Sequence, residues 1–147
     1  MMDEYKKWEK DCKKIKIQNE KLIDDFSEWL KIKGVTEKTI TKHCWNIKFF
    51  INEFLLYEDA IPAKDGSSYI GMFLGYWFIK KAMWSSVAAI KQNAASLKKF
   101  YQFMMEKKEI KADEFEELKR NIKEKMPEWL QKMERYDNED MDEVWDL

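Results

Sequence analysis

Apolar positions recur at helical spacing along almost the whole chain. Tyr5, Trp8, Cys12 and Ile15 fall at i, i+3, i+7 and i+10, and the seam runs on through Asn19, Leu22, Phe26 and Trp29. One long helix satisfies this pattern. So do two helices broken near Gln18 and Asn19, with Asn19 as the second N-cap. Gly34 is a natural helix stop. Thr36 then opens a second helix, because its hydroxyl can accept from a free first-turn N–H. Ile40, Cys44, Ile47, Ile51 and Phe54 form one face of that helix. Trp45 and Phe49 point nearly the other way, near Lys38 and Lys42. A helix apolar on two sides reads as central, so both rings are expected in the core.

Residues 57–68, with Pro62 and Gly66, read as a loop. Residues 68–81 form a third helix, apolar all round and therefore expected to be buried. Its Gly71 and Gly75 would let another helix approach closely. Ser85 or Ser86 caps a fourth helix whose seam is Val87, Ile90, Ala94, Leu97, Tyr101 and Met104. A fifth helix carries Phe115, Leu118, Ile122 and Met126. Pro127 suits the first position of a last short helix holding Trp129, Leu130 and Met133. Asp137 to Leu147 reads as a solvated acidic tail.

Composition agrees with this all-α reading. Of 147 residues, 45% are hydrophobic and 15% aromatic, enough for a sizeable core. Only 4 Gly and 2 Pro are present, few for a turn-rich β protein. Trp29, Ile47, Phe50, Phe73, Trp77, Leu97 and Tyr101 are the expected large core residues. The two cysteines, Cys12 and Cys44, lack metal-ligand spacing and read as buried free thiols. The N-terminus carries no apolar signal core, and the longest apolar run, Tyr69 to Ile79, is too short to span a bilayer. A soluble, cytoplasmic protein with no membrane partner is the expectation.

The net charge of −1 argues against a strong polyanion binder, but its distribution is uneven. Residues 1–33 hold 9 basic and 8 acidic side chains, residues 34–110 hold 11 and 7, and residues 111–147 hold 7 and 13. The middle of the chain is thus mildly basic and the end acidic.

Two motifs in that basic middle carry a resemblance. Thr36-x-x-Thr39-x-x-x-His43-x-x-x-Ile47-x-x-Phe50 resembles the start of the second helix of the tyrosine-recombinase (phage integrase) core-binding domain, with His43 in place of the usual Tyr. Ser85 to Met104, with its Leu97-Lys98-Lys99-Phe100-Tyr101 core, is similar to the family's last long helix. The likeness covers about residues 20 to 110. It implies a compact SAM-like domain of orthogonal helical hairpins, here with extra N- and C-terminal helices. On that basis the chain divides into an N-terminal helical extension (1–18), a core-binding-like domain (19–110), C-terminal helices (111–136) and the acidic tail (137–147). Three features depart from the family. The third helix is unusually apolar, Ala89 stands where Ser or Thr is usual, and no Asn-Pro linker follows Ile110.

The recombinase reaction needs two arginines with further His and Lys groups around a phosphate. This chain has only Arg120 and Arg135, both in its acidic last third, and one histidine, followed by Cys44-Trp45-Asn46 rather than by the family's His-x-x-Arg. A non-enzyme without cofactor or metal is therefore expected. The family clamps double-stranded DNA with its second and fourth helices. Carried over by motif, the DNA-binding candidates are Lys38, Thr39, Lys42, His43 and Asn46, with Lys91, Gln92, Lys98 and Lys99. Lysines would meet phosphates, while Thr, Asn and Gln would reach base edges or sugars. The competing reading is a helical protein-interaction module that kept the fold and lost DNA binding. It draws on the acidic end, the apolar third helix and the seven tryptophans.

Overall fold

Asp3 accepts a hydrogen bond from the Lys6 amide at 2.7 Å and opens α1, Glu4–Ile32. The coordinates are a computed structural model that describes residues 3–145, with side chains described as far as Asn138. Every regular element in it is helical. The seam through Asn19 is one unbroken helix of 29 residues. Asn19 is no cap; it is buried, and its amide donates to the Ile51 carbonyl at 3.3 Å and to Asn52 Oδ1 at 2.8 Å. The N-terminal turns, through Cys12 and Ile15, pack on Leu56 as a small satellite of the main core. Tyr5, at the head of the seam, is exposed.

Gly34 sits at φ +84°, the left-handed conformation that turns the chain out of α1. Thr36 then caps α2, Glu37–Lys48, accepting from the Thr39 amide at 3.4 Å. The helix does not stop at Lys48. It continues as a π-helical segment, Phe49–Phe54, in which the Leu55 amide bonds the Phe50 carbonyl five residues back. A second π segment, Phe73–Trp77, lies between the α-helical turns Ile70–Met72 and Phe78–Lys81. Together these three pieces form α3, residues 70–81. Ser86 caps α4, Val87–Glu106, through the Ala89 amide at 3.0 Å. The last helix, α5, is Ala112–Trp145.

α1 packs on α2, α2 on α4, and α4 on α5, while α3 is wedged between α2, α4 and α5. Phe26, Leu30, Ile47, Phe50, Phe73, Phe78, Phe100 and Tyr101 are completely buried at the centre. Of the expected core residues, Trp29 and Trp77 are only half-buried. The Tyr101 hydroxyl donates to the Ala63 carbonyl at 2.8 Å, which pins the loop before α3 to α4. Cys12 is buried, Cys44 half-buried, and both are free thiols. No helix among the described residues is long and apolar enough to cross a membrane.

Three expectations are corrected. α3 is not buried all round, because its Met72 and Tyr76 are exposed, as is Tyr69 just before it. Pro127 does not begin a new helix; it lies inside α5. Proline removes one backbone bond and crowds the preceding turn, at a cost of about 3 kcal/mol. Buried Ile122 before it and buried Trp129 and Met133 after it hold the helix continuous across that defect. Finally, the backbone from Asp137 to Trp145 continues α5 instead of forming a loose tail, although the side chains of its acidic residues from Glu139 onward lie outside the described set.

Gly75 shows why α5 sits so close to α3. A Cβ there would lie 2.7 Å from Cδ1 and Nε1 of the Trp129 ring, which is itself buried. At Gly71 a Cβ would meet nothing within 4 Å. Gly75→Ala should therefore lower stability by about 1–3 kcal/mol through overpacking. Gly71→Ala should be neutral or should stabilise by up to about 1 kcal/mol through helix propensity. Urea melts of the two variants check this; equal effects would mean that Trp129 does not rest on α3.

Candidate nucleic-acid interface

The nine candidate residues fall into three groups. Lys38, Thr39 and Lys42 are exposed on the outer side of α2, and Lys91, Gln92, Lys98 and Lys99 are exposed on α4. His43 and Asn46 are half-buried between the two helices and are already occupied. Asn46 Nδ2 donates to Ser96 Oγ at 3.0 Å, and His43 Nδ1 lies 2.7 Å from the same oxygen. Ser96 is fully buried. A hydroxyl has one proton to give. It also has two lone pairs, so beside the Asn46 donor it can pair with His43 Nδ1 in either tautomer of the ring. His43 and Asn46 are therefore the polar clasp between α2 and α4, not free readers of a base edge.

Burial holds the His43 pKa below its usual 6.5, and the nearby Lys99 charge pushes in the same direction. Lys99 is thus close to the clasp, on the seam between the helices. Lys98 lies elsewhere. It lines a groove of about 650 Å³ between α4 and α5, with Lys119, Lys123, Met126 and Pro127. Lys99 is thus the α4 lysine nearer the clasp, while Lys98 faces the groove beside α5.

The segments that carry these lysines are poor in carboxylates. Residues 38–52 contain no Asp or Glu, and neither do residues 66–105, in a chain that has 28. The ion pairs that involve α4 are at its far end, Lys33 with Glu106 at 3.7 Å and Lys107 with Asp25 at 3.2 Å. None of Lys38, Lys42, Lys48, Lys91, Lys98 or Lys99 has a carboxylate oxygen within 4.0 Å among the described residues. The sequence carried this signal in its acid-free runs, which the overall charge conceals.

A second feature was not anticipated. Trp45 is not in the core; it is 53% exposed, beside Trp84 at 42% and Met83 at 98%. The turn between α3 and α4 brings Trp84 edge-on to Trp45, with ring centroids 5.0 Å apart, and leaves the outer side of Trp45 uncovered. Phe49, one turn on, is half-buried as part of the same cluster. No protein-family model, no curated protein and no solved structure matches this chain.

A neutral His43 in the clasp has a measurable consequence. The folded ring binds its proton more weakly than the unfolded chain does, so its contribution to stability is complete above about pH 6.5 and is lost as pH falls through the lower folded value. As the chain has one histidine, its ring resonances in an NMR titration should give a single midpoint below 6.5. A midpoint at or above 6.5 would show that the imidazole is not enclosed against Ser96.

Proposed function

We propose that this chain is a non-catalytic DNA-binding module of the kind the tyrosine-recombinase core-binding domain represents, gripping duplex backbone with α2 and α4. The supporting observation is the pair of adjoining helices whose six lysines have no carboxylate oxygen within 4.0 Å among the described residues, in a chain that is net acidic. Exposed lysines on neighbouring helices suit a run of phosphates. They attract it as point charges, without the forked geometry by which arginine recognises guanine. With His43 and Asn46 committed to Ser96, direct base reading falls to Thr39 and Gln92. Such a module binds by position and charge more than by sequence. The exposed Trp45, Met83 and Trp84 favour the second reading, a protein-interaction module, because apolar patches of this sort mark contact surfaces.

Fluorescence anisotropy with a labelled duplex separates the two. A site using about four lysines should lose about two orders of magnitude in affinity over a fivefold rise in salt. Lys42→Glu combined with Lys99→Glu should abolish binding, whereas Lys98→Glu, on the α5 side, should weaken it far less. Absence of binding at low salt would remove the DNA reading.

A further inference from the structure

Trp45 is held in a way that an incidental surface ring is not. Trp84 braces it edge-on at 5.0 Å, and Phe49 lies almost parallel to it, 6° between planes and 6.3 Å between centroids. Trp84 is in turn fixed by Phe49 at 4.9 Å and by fully buried Phe78 at 6.4 Å. The ring is therefore anchored to the core through two aromatic neighbours, yet more than half of it faces solvent. Leaving so much indole exposed forgoes burial that would stabilise the fold.

Charge decides what fits this platform. Lys38, Lys42 and Trp45 lie at i, i+4 and i+7, one exposed stripe along α2, and Lys48 follows one turn later. Lys80 and Lys81, at the end of α3, are turned to Tyr76 and Tyr57 instead, so the positive charge beside the ring comes from α2. Neither of the segments that build this surface, residues 38–52 and 66–105, contains an acidic residue. A second copy of the chain would bring the same lysine-flanked patch against itself. A polyanion with flat apolar rings meets both requirements together.

We infer that Trp45, braced by Trp84, is a stacking platform for an unpaired base of DNA, with Lys42 and Lys48 holding the flanking phosphates. This rests on the DNA-binding reading and adds the form of DNA preferred. In an intact duplex the bases are stacked on one another and their faces are out of reach. A bulge or a single-stranded end offers a free face, and every base has one, so the preference is for unpaired structure and not for sequence.

The test compares three labelled oligonucleotides by anisotropy on the full chain: a perfect duplex, the same duplex with a one-base bulge, and one of its single strands. The bulged duplex and the strand should bind about tenfold tighter than the perfect duplex. Trp45→Ala should remove that preference and leave perfect-duplex affinity unchanged, while Trp45→Tyr should retain most of it. Thermal melts should show both variants folded, since Trp45 is largely at the surface. Equal affinity for all three oligonucleotides, with duplex binding intact, overturns the platform and leaves the DNA reading standing. So does a preference that survives Trp45→Ala. Binding of the strand alone, lost in Trp45→Ala, supports the platform and removes the duplex clamp. No binding of any oligonucleotide at low salt overturns both. Self-association in sedimentation that disappears with Trp45→Ala would assign the patch to a second copy and overturn the proposal.

Discussion

The fold depends on two π-helical turns pressed face to face. In the second helix, Phe49 and Phe54 are five residues apart, as are Phe50 and Leu55. In the third, Phe73 and Phe78, and Leu74 and Ile79, repeat the spacing. All but Phe49 are buried. An α-helix would rotate residues five apart well away from one another, and half of these side chains would miss the core. Bonding five residues back brings them onto one side. The rings then meet across the interface, Phe50 and Phe73 at 5.0 Å, Phe54 and Phe73 at 5.0 Å, Phe54 and Trp77 at 5.3 Å. Each such pair contributes about 0.5–1.5 kcal/mol beyond its burial. Several together offset the poorer geometry of the widened turns. The widened turn in α2 also presents the Ile51 carbonyl to Asn19 of α1, which accounts for a buried asparagine in the middle of an apolar seam.

That aromatic interface sets the position of the candidate site. The main core claims Phe50, Phe54 and Phe73, and the turn leaving α3 places Trp84 at the outer edge of the ring cluster. Trp45 follows it to the surface. On the other flank of α2, the contact with α4 is polar. His43, Asn46 and Ser96 form a clasp of direct side-chain hydrogen bonds. Such a clasp costs desolvation, and its value is in fixing one rotation of α2 against α4. The lysines on the outer side of both helices inherit that fixed relation.

Much of this was legible in the residues. The 3.6-residue seams of α1 and α4, the Thr36 and Ser86 caps, the turn at Gly34 and the close approach at Gly75 all follow from local chemistry. The π turns were not legible, because a search at helical period divides a spacing of five between two faces. Trp45 was misplaced for a related reason. A tryptophan opposite the core face signals a neighbour on that side, and the neighbour exists, but Trp84 covers only an edge. That is decided by a turn forty residues on, beyond the reach of local pattern. Pro127 was read as a boundary because proline stops isolated helices; Trp129 seated on Gly75 outweighs it. His43 and Asn46 looked like DNA contacts by motif position, and only the partner Ser96, on another helix, reveals their place in the packing.

The clasp and the charge pattern together limit what kind of recognition is available. At physiological salt a charge is felt over about 8 Å, so what a ligand meets is set by the charges close to it and not by the sum over the chain. The overall charge of −1 is for this reason a poor guide to local binding. The same helices offer few groups able to tell one base pair from another, since the histidine and one asparagine are turned inward and no arginine is present. On the proposed reading, discrimination has to come from the shape and pairing state of the nucleic acid. An exposed, rigidly braced indole beside exposed lysines is a device suited to that task, because stacking responds to whether a base is free and is nearly indifferent to which base it is.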